Sequence, residues 1–172
     1  MTESRNYKTD AAVIARLASG KEPVVLEAIS GLREKGNPLY LPRLLELLLE
    51  YPSGEIYDTI LTLLGELKFR EGARYLTEAI AMDKYAPLQQ ALVACCWQNN
   101  LDYRPWFSLF VSLVIQAPFE TAFEAFTVIE NMDPLPETAI RESAISSLRE
   151  ALPASQENQA CLIHELISLL GQ

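Results

Sequence analysis

Apolar residues recur at steps of three and four along almost the whole chain, and this spacing constrains the fold more than any other feature. From Thr9 to Leu170 they form segments of about 12 to 16 residues, broken by Gly, Pro, Asn or Asp. No stretch alternates apolar and polar residues as a half-buried strand does. The sequence therefore predicts an all-α protein of about ten helices, and the short connections predict antiparallel pairing of sequential helices.

The first helices can be placed from their end signals. We expect the first over residues 10–19, and the second from Pro23, a residue suited to a first turn, to Gly36, which suits a left-handed cap. Pro52 should stop the third helix and Ser53 should cap the fourth. The expected inward positions of the third, fourth and fifth helices are Leu41, Leu44, Leu45, Leu48, Ile56, Ile60, Leu63, Leu64, Leu67, Ala73, Leu76 and Ile80.

The helices repeat at a nearly constant interval. Corresponding apolar positions are separated by about 32, 34 and 34 residues, a period typical of stacked helical hairpins. The first such series is Leu44, Leu76, Phe110 and Ala144, and the second is Leu48, Ile80, Val114 and Leu148. One hairpin therefore recurs about four times, and the segment 65–80, with a charged elbow at 68–72, is interpreted as one of these hairpins.

Within this frame, "GLREKGNPLYLPRLLELLLE" and "GELKFREGARYLTEAIAM" resemble HEAT repeats, which belong to the armadillo-type α-solenoids. Each has a helix, a charged elbow and a second, Leu-rich helix, and the resemblance covers residues 22–82. The later elbows, "NNLDYRP" and "MDPLP", depart from the HEAT pattern. The resemblance implies a short right-handed α-α superhelix whose second helices line the concave side. We expect a flexible segment 1–8 followed by one domain, 9–172.

The charge is unevenly distributed. The net charge is -9, with 11 Lys/Arg against 13 Asp/Glu in residues 1–86 and 3 against 10 in residues 87–172. An acidic second half opposes nucleic-acid binding, which needs a basic surface to neutralise phosphates. It favours a protein partner, and a basic one in particular. The alternative is that the acids only keep an apolar-rich protein soluble.

Other sequence features argue against chemistry in this chain. No apolar run of membrane-spanning length and no leader pattern is visible, which predicts a cytoplasmic protein without a membrane segment. The cysteines, Cys95, Cys96 and Cys161, are odd in number and read as packing residues. His164 is the only histidine, so no His-based metal site is expected. Phosphate-binding glycine motifs are missing. We therefore expect no enzyme activity and no cofactor.

Charged side chains beside the leucine stripe are the first candidate site. Arg43, Glu46 and Glu50 share one face of the third helix, and Arg74 and Glu78 continue it on the fifth. The HEAT resemblance implies that this face is concave and binds a partner. The alternative is local salt pairing of Arg43 with Glu46 and of Arg74 with Glu78.

The aromatic run "WQNNLDYRPWFSLF" is the second candidate site. A ligand cleft is the hypothesis, and core packing of the aromatic rings is the alternative. HEAT-like DNA glycosylases use such residues on a concave surface, but this bend is poor in Lys/Arg. The candidate cleft residues are Trp97, Asp102, Tyr103, Arg104 and Trp106.

Together these features predict a non-catalytic interaction or adaptor module that binds a partner in its concave groove, with an inhibitor or immunity-type role as one form. The alternative function is an enzyme on the same scaffold, acting on nucleic acid or a small ligand at the aromatic bend. A carboxylate pair at Glu120 and Glu124 is also conceivable, although this spacing is common on solvated helices.

Overall fold

The computed structural model describes residues 7–35 and 37–172, and every regular element in that part of the chain is helical. The α-helices are α1 (Ala11–Leu17), α2 (Glu22–Lys35), α3 (Leu41–Glu50), α4 (Glu55–Gly65), α5 (Gly72–Ile80), α6 (Gln89–Asn99), α7 (Phe107–Gln116), α8 (Phe119–Glu130), α9 (Thr138–Ala151) and α10 (Glu157–Leu170). Short 3-10 segments occur at Pro38–Tyr40, Asp83–Leu88, Arg104–Trp106 and Leu152–Ala154. The prediction of an all-α fold with about ten helices is confirmed.

The helices pack in two rows. The even row consists of α2, α4, α6, α8 and α10, and each of these helices contacts the next. The odd row consists of α3, α5, α7 and α9. Here α3 contacts α5 and α7 contacts α9, whereas α5 and α7 approach each other at few points. The first helix, α1, packs against α2. The even row is thus the more tightly packed side of the molecule.

The closest sequential pairs each join an odd helix to the even helix that follows it. The most extensive contact is between α7 and α8, which only Ala117 and Pro118 separate. The segment 65–80 does not form the closed hairpin that the sequence suggested, because α4 and α5, which a six-residue elbow separates, do not pack closely against each other. Helix α5 packs mainly against α6 and α3. A six-residue connection allows this separation, whereas a two-residue one does not.

The repeat positions form the core between the rows. Leu44, Leu76 and Phe110 are at most 1% exposed, and Ala144 at the end of the series is 9% exposed. The second series, Leu48, Ile80, Val114 and Leu148, is buried as well. The twelve inward positions expected for α3, α4 and α5 are also buried. Each fully buried Leu or Ile contributes about 1.5–3 kcal/mol, so the interval read from the sequence marks the main stabilising contacts.

Helix ends agree with the sequence signals in part. Asp10 caps α1, accepting a hydrogen bond from the Ala12 amide at 2.8 Å, and Pro23 lies in the first turn of α2. The prediction that Ser53 caps α4 is wrong. Gly54 occupies that position without a side-chain bond, at φ 92°, a backbone conformation that residues with a Cβ rarely adopt.

Two expectations from the sequence concern residues outside these ranges. Gly36, proposed as the cap of α2, and most of the flexible segment 1–8 lie outside the described residues. The residues just before α1 are hydrogen-bonded to the segment that precedes α3. The Asn37 side-chain amide donates to the Lys8 carbonyl at 2.9 Å, and the Asp10 amide donates to the Tyr40 hydroxyl at 2.7 Å. Over the described ranges, no helix combines the length and apolar character that crossing a bilayer requires.

Candidate functional site

The connection after α6 is held by one buried side chain, Asn99, which is 2% exposed. Its amide nitrogen donates to the Leu64 carbonyl at the end of α4 at 3.1 Å. Its oxygen accepts hydrogen bonds from the Leu101 amide and the Tyr103 hydroxyl, each at 3.1 Å. Asn99 therefore binds three polar groups from two parts of the chain, and it fixes the path of the connection.

Asn100 and the pair Asp102 and Arg104 complete the turn. Asn100 adopts a left-handed conformation at φ 52°, which Asn tolerates better than most residues and which ends α6. The Arg104 guanidinium donates to both Asp102 oxygens, at 2.8 and 2.9 Å. These bonds hold the pKa of the Asp102 carboxyl below its ordinary value, so Asp102 is an ionised, paired carboxylate and a poor general base.

A cavity of about 330 Å³ lies between this connection and the one after α8. Its polar lining includes Asn100, Asp102, Arg104, Asn131 and Asp133. Its remaining lining residues are Cys96, Trp97, Leu101, Tyr103, Val128 and Met132. The volume is at the lower end of the range for small-molecule sites.

Four of the five predicted cleft residues line this cavity: Trp97, Asp102, Tyr103 and Arg104. Trp106 does not, because it packs against the core. Tyr103 is also mainly structural, since its ring lies edge-on to Phe110 with centroids 5.7 Å apart, and burial raises the pKa of its phenol. Trp97, Asp102 and Arg104 thus line one cavity, ligand binding there stays a hypothesis, and core packing accounts for Trp106 and most of Tyr103.

The predicted partner face on α3 and α5 lies in the odd row, and its charges pair with one another. Arg43 bonds both oxygens of Glu50, at 2.6 and 3.1 Å, and contacts Glu46 at 3.4 Å. These bonds raise the pKa of Arg43. Arg74 reaches Glu78 only at 3.9 Å. The local pairing expected as the alternative is present in both helices, and this face is close to electrically neutral.

Charge separates between the odd row and the last four helices of the even row, whereas α2, the first helix of the even row, contains two basic residues and three Glu. Helices α4, α6, α8 and α10 of the even row contain no Lys or Arg and seven acids, which are Glu55, Asp58, Glu120, Glu124, Glu130, Glu157 and Glu165. Helices of the odd row contain four Arg and five Glu. The excess negative charge of the second half of the chain therefore belongs mainly to one layer of the structure.

An exposed patch on α6 and α8 combines these acids with aromatic rings. We call Trp97, Glu120, Phe123 and Glu124 the acidic aromatic patch. Trp97 is 37% and Phe123 51% exposed, and Glu120 is also exposed. The Trp97 indole N–H donates to Glu124 at 2.7 Å, across the two helices. The Glu124 carboxylate is therefore hydrogen-bonded to Trp97.

The thiols and the histidine have ordinary surroundings. Cys95 and Cys96 are buried, and burial raises the pKa of Cys95 to about 12 and raises that of Cys96 as well. Both are therefore protonated and unreactive near neutral pH. Cys161 and His164 are exposed on α10. No group of three or more potential metal ligands occurs in the described part of the chain.

Sequence reasoning missed four polar contributors to this region, Asn99, Asn100, Asn131 and Asp133. The Asn99 and Asn100 doublet carried a usable signal, because Asn favours left-handed helix ends. Asp133 lies in "MDPLP", and only the packing of α6 beside α8 brings it to the cavity that Asp102 lines.

No protein-family model, curated protein or solved structure matches the chain.

Proposed function

We propose that this protein is a non-catalytic interaction module that binds a basic protein partner through the acidic aromatic patch and the neighbouring acids of the even row. The observation that carries this proposal is the separation of charge between the rows. Helices α4, α6, α8 and α10 lie side by side there and contain seven acids and no Lys or Arg, so a basic surface would meet mainly negative potential along these four helices. An inhibitor or immunity-type role, in which the acidic face covers a basic site, is one form of this function.

Aromatic exposure supports the same face. Large exposed rings are enriched where proteins bind one another, and Trp and Phe bury much area for little loss of side-chain freedom. Trp97 is also oriented by its bond to Glu124, so its ring is held in place before a partner arrives. The patch thus offers an anchor together with charge complementarity.

We place the partner site on the even row, whereas the sequence predicted it on α3 and α5 of the odd row. Arg43, Glu46 and Glu50 form a network that also includes Lys84, whose ammonium lies 3.6 Å from Glu46. A partner would have to break these pairs to use the charges. The even-row acids on α8 and α10 have no such basic neighbours within their own helices.

The two-row stack is compatible with a helical-repeat solenoid, and we propose that it is of the HEAT-like, right-handed type. Such arrays commonly present a long row of helices to a partner, which suits an adaptor. This support comes from analogy of fold and of the motifs in residues 22–82.

Catalysis at the aromatic bend is the alternative function, and the cavity is the observation in its favour. Its chemistry is weakly supported, because Asp102 is bound by Arg104 and Cys96 is protonated. We therefore propose that the cavity binds a group without transforming it.

Affinity capture from native cell extract tests the proposal when it is paired with two matched variants. Glu120→Lys with Phe123→Ser changes the patch, and Glu142→Lys with Ile140→Ser makes the same changes on the exposed face of α9 in the odd row. We expect a captured basic protein to be lost with the patch variant, retained with the α9 variant and weakened by added salt. Equal capture by both variants, or an acidic captured partner, would refute the proposal.

A further inference from the structure

The cavity beside Trp97 has an electrostatic character set by the ends of two helices. The C-terminal turns of α6 and α8 both contribute to its wall, through Cys96 and Trp97 of the one and Val128 of the other, and the residues just past each helix complete it. Carbonyl groups at helix C-termini carry partial negative charge and favour cations. Two such ends at one cavity act together.

The charged side chains of the cavity act in the same direction. Asp102, Asp133 and Arg104 line it, so two carboxylates face one guanidinium. Arg104 is engaged in two hydrogen bonds to Asp102. In the described part of the chain the Asp133 carboxylate has no salt-bridge partner within 4.0 Å, although its charge, after that of Asp102, helps to raise the pKa of Arg104. One net negative charge therefore remains, and it belongs to an exposed side chain that a ligand can reach.

The remaining wall suits a planar or compact organic cation. Trp97 presents the aromatic ring that binds cations most strongly, and its indole N–H donates to Glu124. Asn100 and Asn131 add side-chain amides whose oxygens can accept N–H donors. An anion would meet the carboxylates and both helix ends, and a neutral apolar group would leave the polar lining without partners.

We propose that this cavity binds the cationic head of an organic guanidinium or ammonium group, with Asp133 as its counter-ion and Trp97 as its aromatic wall. The inference rests on the proposed basic partner, because an Arg or Lys side chain of that partner is the source of the group that best fits a cavity bordering the acidic aromatic patch. A free amine or guanidine is the other source of the same chemistry.

NMR titration tests the chemistry directly through the indole N–H of Trp97, which a Trp106→Phe variant distinguishes from that of Trp106. The probes are ethylguanidinium, the neutral ethylurea and the anion propionate, at equal ionic strength. We expect ethylguanidinium to shift the Trp97 signal at concentrations where the other two do not. Equal shifts with ethylurea, stronger shifts with propionate or no response to any probe would overturn the inference.

Two variants locate the site. Asp133→Asn should weaken ethylguanidinium binding about tenfold, because it removes the charged acceptor. Glu130→Gln removes one exposed carboxylate from the same end of α8 but not from the cavity lining, and its affinity should stay within about twofold of wild type. Equal losses in the two variants would mean that general charge, and not the cavity, attracts the cation.

A capped tripeptide, acetyl-Gly-Arg-Gly-amide, separates the two sources. Binding at least as tight as that of ethylguanidinium supports a partner side chain, and exclusion of the peptide supports a free small cation. Partner capture that Asp133→Asn leaves intact and the patch variant abolishes would preserve the proposed function while overturning the anchoring of the partner in the cavity.

Discussion

The Tyr103 hydroxyl donates a hydrogen bond to the side-chain oxygen of Asn99 at 3.1 Å, and both residues are almost completely buried. Asn99 lies at the end of α6, and Tyr103 lies beyond the turn whose path the bond helps to fix. The same Asn99 amide reaches Leu64 of α4. The geometry of the cavity wall therefore depends on a polar contact inside the core.

Replacing Asn99 should destabilise the protein strongly. Asn99→Ala removes the hydrogen bonds to the Leu64 carbonyl, the Leu101 amide and the Tyr103 hydroxyl, and we expect a loss of about 3 kcal/mol in the free energy of unfolding, measured by urea denaturation. Tyr103→Phe removes one bond and keeps the ring, so about 1 kcal/mol is expected. Gln98→Ala, at an exposed neighbouring position, is the control. An Asn99→Ala variant as stable as the control would contradict this account.

The start of α4 should depend on Gly54 and not on Ser53. Gly54 has φ 92° and ψ -171°, a region open essentially to Gly alone, so Gly54→Ala should cost about 1–3 kcal/mol. Ser53→Ala should change stability by less than about 0.5 kcal/mol, because no capping bond is lost. Thermal melting of both variants checks which substitution destabilises the protein more. A larger loss of stability for Ser53→Ala than for Gly54→Ala would support the prediction made from the sequence.

Thiol chemistry should distinguish the three cysteines. At pH 8 we expect the exposed Cys161 to react with a thiol reagent quickly, and the buried Cys95 and Cys96 to react only when the protein unfolds. Counting modified thiols by mass spectrometry at early times checks this. A Cys161→Ser variant should lose the fast reaction, and fast labelling of either buried thiol would show that the core is open there.

Stability should fall at alkaline pH. The unfolded chain ionises its thiols from about pH 9 and its phenols from about pH 10, whereas burial raises the pKa of Cys95 to about 12 and also raises that of Cys96 and Tyr103. Because these pKa values are higher in the folded than in the unfolded protein, the buried protonated groups contribute fully to the free energy of unfolding below about pH 9. This contribution is lost as the pH rises from there toward the folded-state pKa values. Urea midpoints between pH 7 and 11 should therefore be level and then decline. Relative to the parent protein, a Cys95→Ala, Cys96→Ala variant should decline less steeply.

The ion pair of Arg43 with Glu50 should be stronger than that of Arg74 with Glu78. Arg43 is 22% exposed and bidentate to Glu50, so a double-mutant cycle should give a coupling of about 0.5–1 kcal/mol. Arg74 and Glu78 are both more than half exposed and 3.9 Å apart, and their coupling should be below about 0.3 kcal/mol. Raising the salt concentration should shrink the first coupling, and a larger value for Arg74 and Glu78 would contradict the geometry.

The helices and their core could be predicted because the spacing of apolar residues along the chain indicates both. Leu44, Leu76 and Phe110 lie at the repeat positions, and the structure buries all three. The pairing of helices was harder to predict, because the apolar face of a helix does not determine which neighbouring helix packs against it. The two-residue link between α7 and α8 was the informative signal, since it leaves no room for the helices to part.

The candidate site could be predicted only in part. Trp97, Asp102 and Arg104 are close in sequence and share one connection, so the aromatic run revealed them. Asp133 comes from the next connection, and no local pattern links it to Asp102; packing of α6 against α8 supplies that link. The separation of charge by row also needed the structure, because the acids of α4, α8 and α10 are scattered along the chain.

The unequal packing of the two rows has a mechanical consequence. Even-row helices contact one another without interruption, whereas the odd row is weakly joined between α5 and α7. The even row therefore acts as a stiff spine, and bending that widens the odd row at that point breaks few contacts. We therefore expect the softest deformation of the molecule to be an opening of the odd row between α5 and α7, which would leave the arrangement of α6 beside α8 unchanged.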